Sequence, residues 1–284
     1  MIISGSASQS LAARLATELE ESLATAEYDR FPDGELLASV PDIDANAERA
    51  VIVASTVSSD AHLEVLQLQD AARQAGIDET VTVLPYMGYG RQDRSFDAGQ
   101  PISARAVARA ISTGTDRVLT VSPHEQVVCE FFEPTATAVE AADRLADPLP
   151  ADLVDPVFLS PDAGAISLAE TVRDAFGAGE TDYFEKVRHS GTAVEVSLSG
   201  VDVVGRDVVI TDDIIATGST MSEAVAVLRE RDVGRVFVTC VHPLLVRNAY
   251  TKLARAGVEA IYATDTIERE SSVVSVAPEL AAHL

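Results

Sequence analysis

Lysine is nearly absent from this chain. Of 284 residues only Lys186 and Lys252 carry an ammonium side chain, and the other basic residues besides histidine are arginines. Acids outnumber Lys and Arg by 45 to 21, for a formal charge of −24. So little cationic surface argues against a nucleic-acid partner and against an anionic membrane, since both require basic patches. The same imbalance fits a halophilic protein, kept hydrated by dense surface carboxylates in a cytosol of high salt. Cysteine is scarce too. Cys129 and Cys240 stand far apart without a CxxC partner, and nothing in them calls for an oxidising compartment. Cys240 lies in the strand-like run VFVTCV and reads as a buried, inert thiol. The opening MIISGSASQSLAARL lacks a basic leader and a signal-like apolar block, and no apolar run approaches membrane-spanning length. The expectation is a cytoplasmic protein.

What the chain does have is apolar substance, 47% of its residues, in short branched runs. These are MIIS at the start, AVIVAST near 50, TVTVLP near 80 and RVLTVS near 117, then PVFLS near 157, DVVIT near 207, RVFVTCV near 235 and VEAIYAT near 258. Most lack polar alternation, as strands covered on both faces do. Between several of them lie stretches with helical apolar stripes, at 60–75, 102–113, 163–176 and 218–231. In the last, Met221, Ala224, Val225 and Leu228 share one face. Alternating strands and helices predict an α/β protein with mainly parallel sheets flanked by helices. The proline-rich stretch ADRLADPLPADLVDP, 142–156, reads as the boundary between domains 1–145 and 146–284.

One stretch carries chemistry on its face. VVITDDIIATGST, 208–220, runs from three branched apolar residues into two adjacent acids, Asp212 and Asp213, and then into a turn of small and hydroxyl residues. In open α/β sheets, ligands bind beyond the carboxyl ends of strands, where loops meet helix N-termini. Gly218 permits close backbone approach, and the N–H groups with the Thr217, Ser219 and Thr220 hydroxyls can surround a phosphate. The GxxxxGK pattern is missing and no lysine is near in sequence, which favours a phosphomonoester over a nucleoside triphosphate. The acids suit vicinal sugar hydroxyls or a hydrated cation. A ribose phosphate answers both halves of the stretch. Competing explanations are structural: Thr220 and Glu223 have the spacing of a capping box, and the acids read equally as ordinary strand-end residues.

This stretch resembles the phosphoribosyl-diphosphate signature of the type I phosphoribosyltransferase fold. Further stretches resemble one branch of that superfamily, the ribose-phosphate pyrophosphokinases. They are FPDGELLASV at 31–40, LPYMGYGRQDRSFDAGQPISAR at 84–105, VSPHEQ at 121–126, SPDAGA at 160–165 and CVHP at 240–243, in the family's order across most of the chain. The resemblance implies two phosphoribosyltransferase-like domains, dependence on Mg²⁺, and synthesis of phosphoribosyl diphosphate from ATP and ribose 5-phosphate. A nucleobase phosphoribosyltransferase would share the 208–220 stretch without needing YGRQDR or FPDGE. A non-catalytic regulatory homologue would share the fold while being free to lose the reacting residues.

The resemblance also assigns roles. Arg91 and Gln92 match an ATP-binding pair, for which a guanidinium fork suits phosphate oxygens and an amide suits adenine or ribose. Phe31, Asp33, Gly34 and Glu35 join the adenine pocket across a subunit interface, so the smallest complete site needs a dimer. Without the resemblance FPDGE is a plain turn. His124 and Asp162 match metal-site residues beyond RVLTVS and PVFLS, although Mg²⁺ prefers oxygen ligands and retained waters. Asp212, Asp213, Ala216, Thr217, Gly218, Ser219 and Thr220 form the ribose 5-phosphate loop, and Arg188 also binds that substrate. Lys186 and Arg188, two apart in a strand-like segment, correspond to the catalytic loop and supply the cations that phosphoryl-type transfer demands. Lys252, by contrast, reads as a surviving surface lysine. Three departures stand out: SPHEQ lacks the acid-Leu-His run of bacterial relatives, HSGTAVEV lacks their Pro/Arg-rich run and looks closer to an archaeal-type variant, and Ala216 replaces an acid that many relatives carry.

Overall fold

The computed structural model describes residues 1–188 and 194–284, with 186–188 and 194–196 described by backbone alone. The chain forms two units. Met1–Glu140, Thr266–Glu268 and Ser275–Leu284 make the first, and Ala141–Asp265 with Arg269–Val274 the second.

The first unit runs through β1 (Ile2–Ser4), α1 (Gln9–Leu19), β2 (Leu23–Ala24), β3 (Glu27–Arg30), β4 (Leu36–Ser39), β5 (Arg49–Val53), α2 (Ser59–Gln74), β6 (Glu79–Leu84), α3 (Ser103–Ser112), β7 (Arg117–Val121) and β8 (Thr135–Val139). Its sheet has the order β2-β1-β5-β6-β7-β8, parallel throughout. β3 and β4 form a separate antiparallel hairpin. Val51, Ile52 and Val53 of β5 are fully buried, as the absence of alternation predicts for a strand covered on both faces. Asp60 in the first turn of α2 and the Ser58 hydroxyl, which accepts from the Ala61 amide at 3.1 Å, set that helix's start.

The second unit contains β9 (Val157–Ser160), α4 (Ile166–Phe176), β10 (Glu180–Arg188), β11 (Val194–Leu198), β12 (Val208–Ile214), α5 (Ser219–Arg229), β13 (Val236–His242), α6 (Ala249–Ala256), β14 (Ala260–Thr264) and β15 (Ser272–Val274). Among the described residues the sheet order is β11-β10-β9-β12-β13-β14-β15, with only β10 and β11 antiparallel. Met221, Ala224, Val225 and Leu228 of α5 are buried against Val208, Ile210, Val236 and Val238, and Leu253 of α6 joins the same core. Burying each of the larger of these side chains contributes roughly 1.5–3 kcal/mol. β12 is tied down at its start. The nearly buried Asp207 carboxylate accepts from the Val154 and Arg235 amides at 2.9 and 2.8 Å and from the Arg235 guanidinium at 2.7 Å. Burial alone would raise its pKa; the Arg235 bond and the two amides outweigh burial and hold it below the usual carboxylate range.

The expected helices all form, at 59–74, 103–112, 166–176 and 219–229. The short α7 (Ala277–Ala281) then brings the chain back to the first unit, where it lies on α1. Arg49 donates to the Leu284 carbonyl at 2.6 Å and fixes the end of the chain beside β5. Among the described residues no helix is long and apolar enough to cross a membrane.

Candidate active site

From β9 the chain passes to β10 on one side of the sheet, and later to β12 on the other. The order therefore reverses between β9 and β12, and a crevice beyond the carboxyl ends of such strands is where open α/β sheets take ligands. The acids named from sequence converge on this rim. Asp162 is exposed two residues past β9, where its carboxylate accepts from the Gly164 amide at 3.1 Å. Asp212 and Asp213 lie half-buried near the end of β12. Asp212 accepts from the Asp213 amide at 3.0 Å, and Asp213 from the Ile214 amide at 2.8 Å. Burial first, then the Asp213 charge, and to a lesser degree Asp162, push the Asp212 carboxyl up to about 8. The pair concentrates more negative charge than the fold alone can hold ionised, so the rim favours a ligand that donates hydrogen bonds or brings positive charge.

The turn that follows is built from both sides. Its amides and carbonyls reach the segment after β13: Ile215 donates to His242 at 3.2 Å, while Leu245 and Val246 donate to Ile215 and Ala216 at 2.9 and 3.0 Å. Gly218 caps α5 in the left-handed region, at φ 68°, which glycine adopts without strain. A Cβ there would meet the Ala249 carbonyl at 3.3 Å and Leu253 Cγ at 3.4 Å, so the turn is seated against the start of α6. The capping-box reading of Thr220 and Glu223 is not what the structure adopts. The helix opens at Ser219 with no side-chain cap, which places Thr220 inside the first turn. The first-turn amides thus face outward without intrahelical partners, beside the Ser219 and Thr220 hydroxyls. Thr217 Oγ1 bonds Ser219 Oγ at 3.3 Å.

Sequence reasoning missed one residue here. Lys252, on α6, donates from Nζ to the Thr217 carbonyl at 3.1 Å and to Ser219 Oγ at 2.9 Å. The absence of a lysine near this turn in sequence therefore does not hold in space. The available signal was its rarity, one of two lysines in the chain.

The other lysine lies on β10, which parallels β9 until Tyr183 stands opposite Ser160 and then continues five residues to Arg188, paired with β11. Lys186 pairs with Val196 and Arg188 with Val194 by backbone; the side chains of both lie outside the described residues. The base of this hairpin is anchored. Asp182, nearly buried, accepts from the Ser199 hydroxyl and from the Gly200 and Val201 amides at 3.0 and 2.9 Å. Cys240, opposite Asp212 on β13, is fully buried, and burial above all, with the Asp212 charge, holds its thiol protonated. It is inert, as the sequence predicts.

In the first unit, FPDGE forms the tip of the β3–β4 hairpin. The Phe31 amide donates to the Glu35 carbonyl at 2.9 Å, the Gly34 amide to Phe31 at 2.8 Å and the Glu35 amide to the Asp33 carboxylate at 3.2 Å. Gly34 takes φ 93° to close the turn, and the Phe31 ring is left 47% exposed. Arg91 is exposed in the loop between β6 and α3. Gln92 is not: its amide group donates to the Pro101 carbonyl at 3.3 Å and accepts from the Ser103 hydroxyl at 2.8 Å, closing that loop onto α3. His124 is exposed three residues beyond β7.

A mainly parallel sheet with paired acids and a hydroxyl-rich turn at its switch point defines a phosphoribosyltransferase-type domain, and residues 138–281 match the family described as phosphoribosyl transferase domain. Residues 1–114 match the N-terminal domain of ribose phosphate pyrophosphokinase. The chain is 65% identical over 281 residues to a ribose-phosphate pyrophosphokinase of Halobacterium salinarum, covering 99% of both, and 42% identical over 286 residues to that of Methanopyrus kandleri, covering 99% and 97%. Its structure superposes on phosphoribosylpyrophosphate synthetase from Mycobacterium smegmatis with a TM-score of 0.84 at 28% identity, covering 100% of this chain and 96% of that one. The chain belongs to the ribose-phosphate pyrophosphokinase family. The resemblance drawn from the sequence, and the fold it implied, are thereby borne out.

Proposed function

We propose that the acid pair and turn of the second unit hold ribose 5-phosphate, and that Arg91 and the FPDGE hairpin bind ATP. The reaction is that of a ribose-phosphate pyrophosphokinase, in which ATP and ribose 5-phosphate give 5-phosphoribosyl 1-diphosphate and AMP. The observation that carries the assignment is the Thr217–Thr220 turn, where orphan amides and hydroxyls of α5 meet next to carboxylates at the strand rim. The amides and hydroxyls suit the terminal phosphate of the sugar, and Asp212 and Asp213 accept from its vicinal hydroxyls. The anomeric hydroxyl then attacks the β-phosphorus of ATP and releases its proton to solvent. Its new bond to phosphorus forms as the α,β-bridging bond breaks, and AMP leaves with that bridging oxygen. Lys186 and Arg188 stabilise the charge that spreads over the transferred group. Gln92 holds the ATP loop in shape through Ser103 and Pro101.

Magnesium fits this rim. Among the described residues no three His, Cys, Asp or Glu side chains close on one point. Mg²⁺ binds through one or two carboxylates and completes its shell with water and substrate phosphates, and the exposed Asp162 is such a carboxylate. Asp162 would supply a carboxylate, and His124 keeps the metal-site role that the family resemblance gives it; when bound, the ion would offset phosphate charge during transfer.

The working assembly is a homo-oligomer, at least a dimer, in which Phe31 serves the adenine of the neighbouring subunit. What supports this is an aromatic ring left exposed at the tip of a hairpin whose own turn bonds are complete. Phe31→Ala and Lys186→Ala are each expected to be nearly inactive. Dissociated, mixed in equal amounts and reassociated, they should regain activity in about a quarter of the sites, from random pairing in a two-fold assembly. No recovery, or a fully active Phe31→Ala, places the hairpin outside the neighbour's site.

A further inference from the structure

We infer that Lys252 is a positioning residue for ribose 5-phosphate, holding the phosphate turn in the arrangement that aims its donors at the ligand. The inference rests on the reading that Thr217–Thr220 bind the sugar's phosphate.

The geometry gives the ammonium group two tasks. Its bond to the Thr217 carbonyl, at 3.1 Å, covers an acceptor that would otherwise repel an anion bound in the turn. Its bond to Ser219 Oγ, at 2.9 Å, acts on a hydroxyl that also receives Thr217 Oγ1 at 3.3 Å. A serine hydroxyl has one proton and two acceptor positions. With both acceptor positions occupied by neighbours, the remaining proton is directed away from them, as a donor for a phosphate oxygen. Two of the lysine's three N–H groups are committed in this way. The charge stays beside the turn, where Asp212, Asp213 and Asp162 otherwise set an unfavourable field for a phosphate.

The aim of Lys252 is fixed by packing. Its neighbour Leu253 is fully buried in the core shared with Met221 and Val225 of α5. Gly218 abuts both Ala249 and Leu253 of α6. The turn and the helix that carries the lysine are therefore held together whether or not the lysine is present. Removing its charge should loosen hydroxyl orientation more than the fold.

The test measures ribose 5-phosphate affinity by calorimetry on the full chain, with kinetics and melting alongside. Lys252→Met should weaken ribose 5-phosphate binding about tenfold, the lower end for a hydrogen bond to a charged group. Its KM for ATP and its melting temperature should stay close to the parent's, and Lys252→Arg should recover most of the affinity. Unchanged affinity in Lys252→Met overturns the inference. So does a joint loss of ATP affinity, sugar-phosphate affinity and melting temperature, which marks a structural brace. Thr220→Val, which touches neither lysine bond, separates this inference from its premise. If it leaves affinity intact, the turn does not hold the phosphate and both fall; if it alone weakens binding, only the role of Lys252 falls.

Discussion

Lys186→Ala is expected to lower turnover by about 10²–10³ while leaving ribose 5-phosphate affinity within a few-fold of the parent, the effect of losing one preorganised charge that acts only as the transition state forms. Transfer of a diphosphoryl group offers little covalent chemistry for a protein to perform, so cations aimed at the migrating group carry much of the rate. β10 is suited to supply them. It outruns β9 past the sheet rim, and Asp182 pins the base of its hairpin. A chain with two lysines keeps one on this extension and bonds the other, from α6, to the turn after β12. Single-turnover kinetics with calorimetric binding provide the check. A variant with full turnover removes Lys186 from the reaction; one that has lost sugar-phosphate binding in proportion makes it a binding residue instead.

Asp213→Asn should separate stability from activity. The Asp213 charge is among the causes that raise the Asp212 pKa to about 8. An acid whose folded pKa lies above its unfolded value, 3.8, weakens the fold as pH rises from the unfolded value through the folded one. Removing one charge should therefore raise the melting temperature at pH 8 by ~4 °C, what ~1–2 kcal/mol gives in domains of this size, with a smaller gain at pH 5. Turnover should fall by about 10² or more, since the proposed site gives a sugar hydroxyl this charged acceptor. In the parent, the proposed binding of ribose 5-phosphate at Asp212 would compete with that residue's proton, so affinity should improve as pH rises toward 8. Calorimetric melts and pH-dependent KM values decide this. A variant that melts lower at pH 8 contradicts the repulsion on which the argument stands.

The sheets and helices were legible because their residues obey local rules. β12 and β13 lack alternation and are covered on both faces, and the stripe on α5 sits where 3.6-residue spacing puts it. The acid pair and turn were legible for a different reason: residue types that suit a sugar phosphate follow one another without a gap. What was not legible depends on contacts between distant segments. Lys252 reaches Ser219 across 33 residues because α6 packs on Gly218, and no pattern in the letters records that approach. The bonds of Gln92 to Ser103 and Pro101, which close its loop onto α3, are likewise not written in the letters. The return of α7 to the first unit rests on tertiary bonds such as Arg49 to Leu284. In Thr220 two local rules competed, and the left-handed Gly218 settled where the helix begins.

Whether the turn after β12 holds the 5-phosphate of the pentose is decided by a crystal structure with ribose 5-phosphate and an unreactive ATP analogue. Phosphate oxygens should then lie within hydrogen-bond reach of the Thr217–Thr220 amides and hydroxyls, with the ribose hydroxyls on Asp212 and Asp213. A pentose phosphate bound elsewhere, with this turn left to solvent, would overturn the assignment.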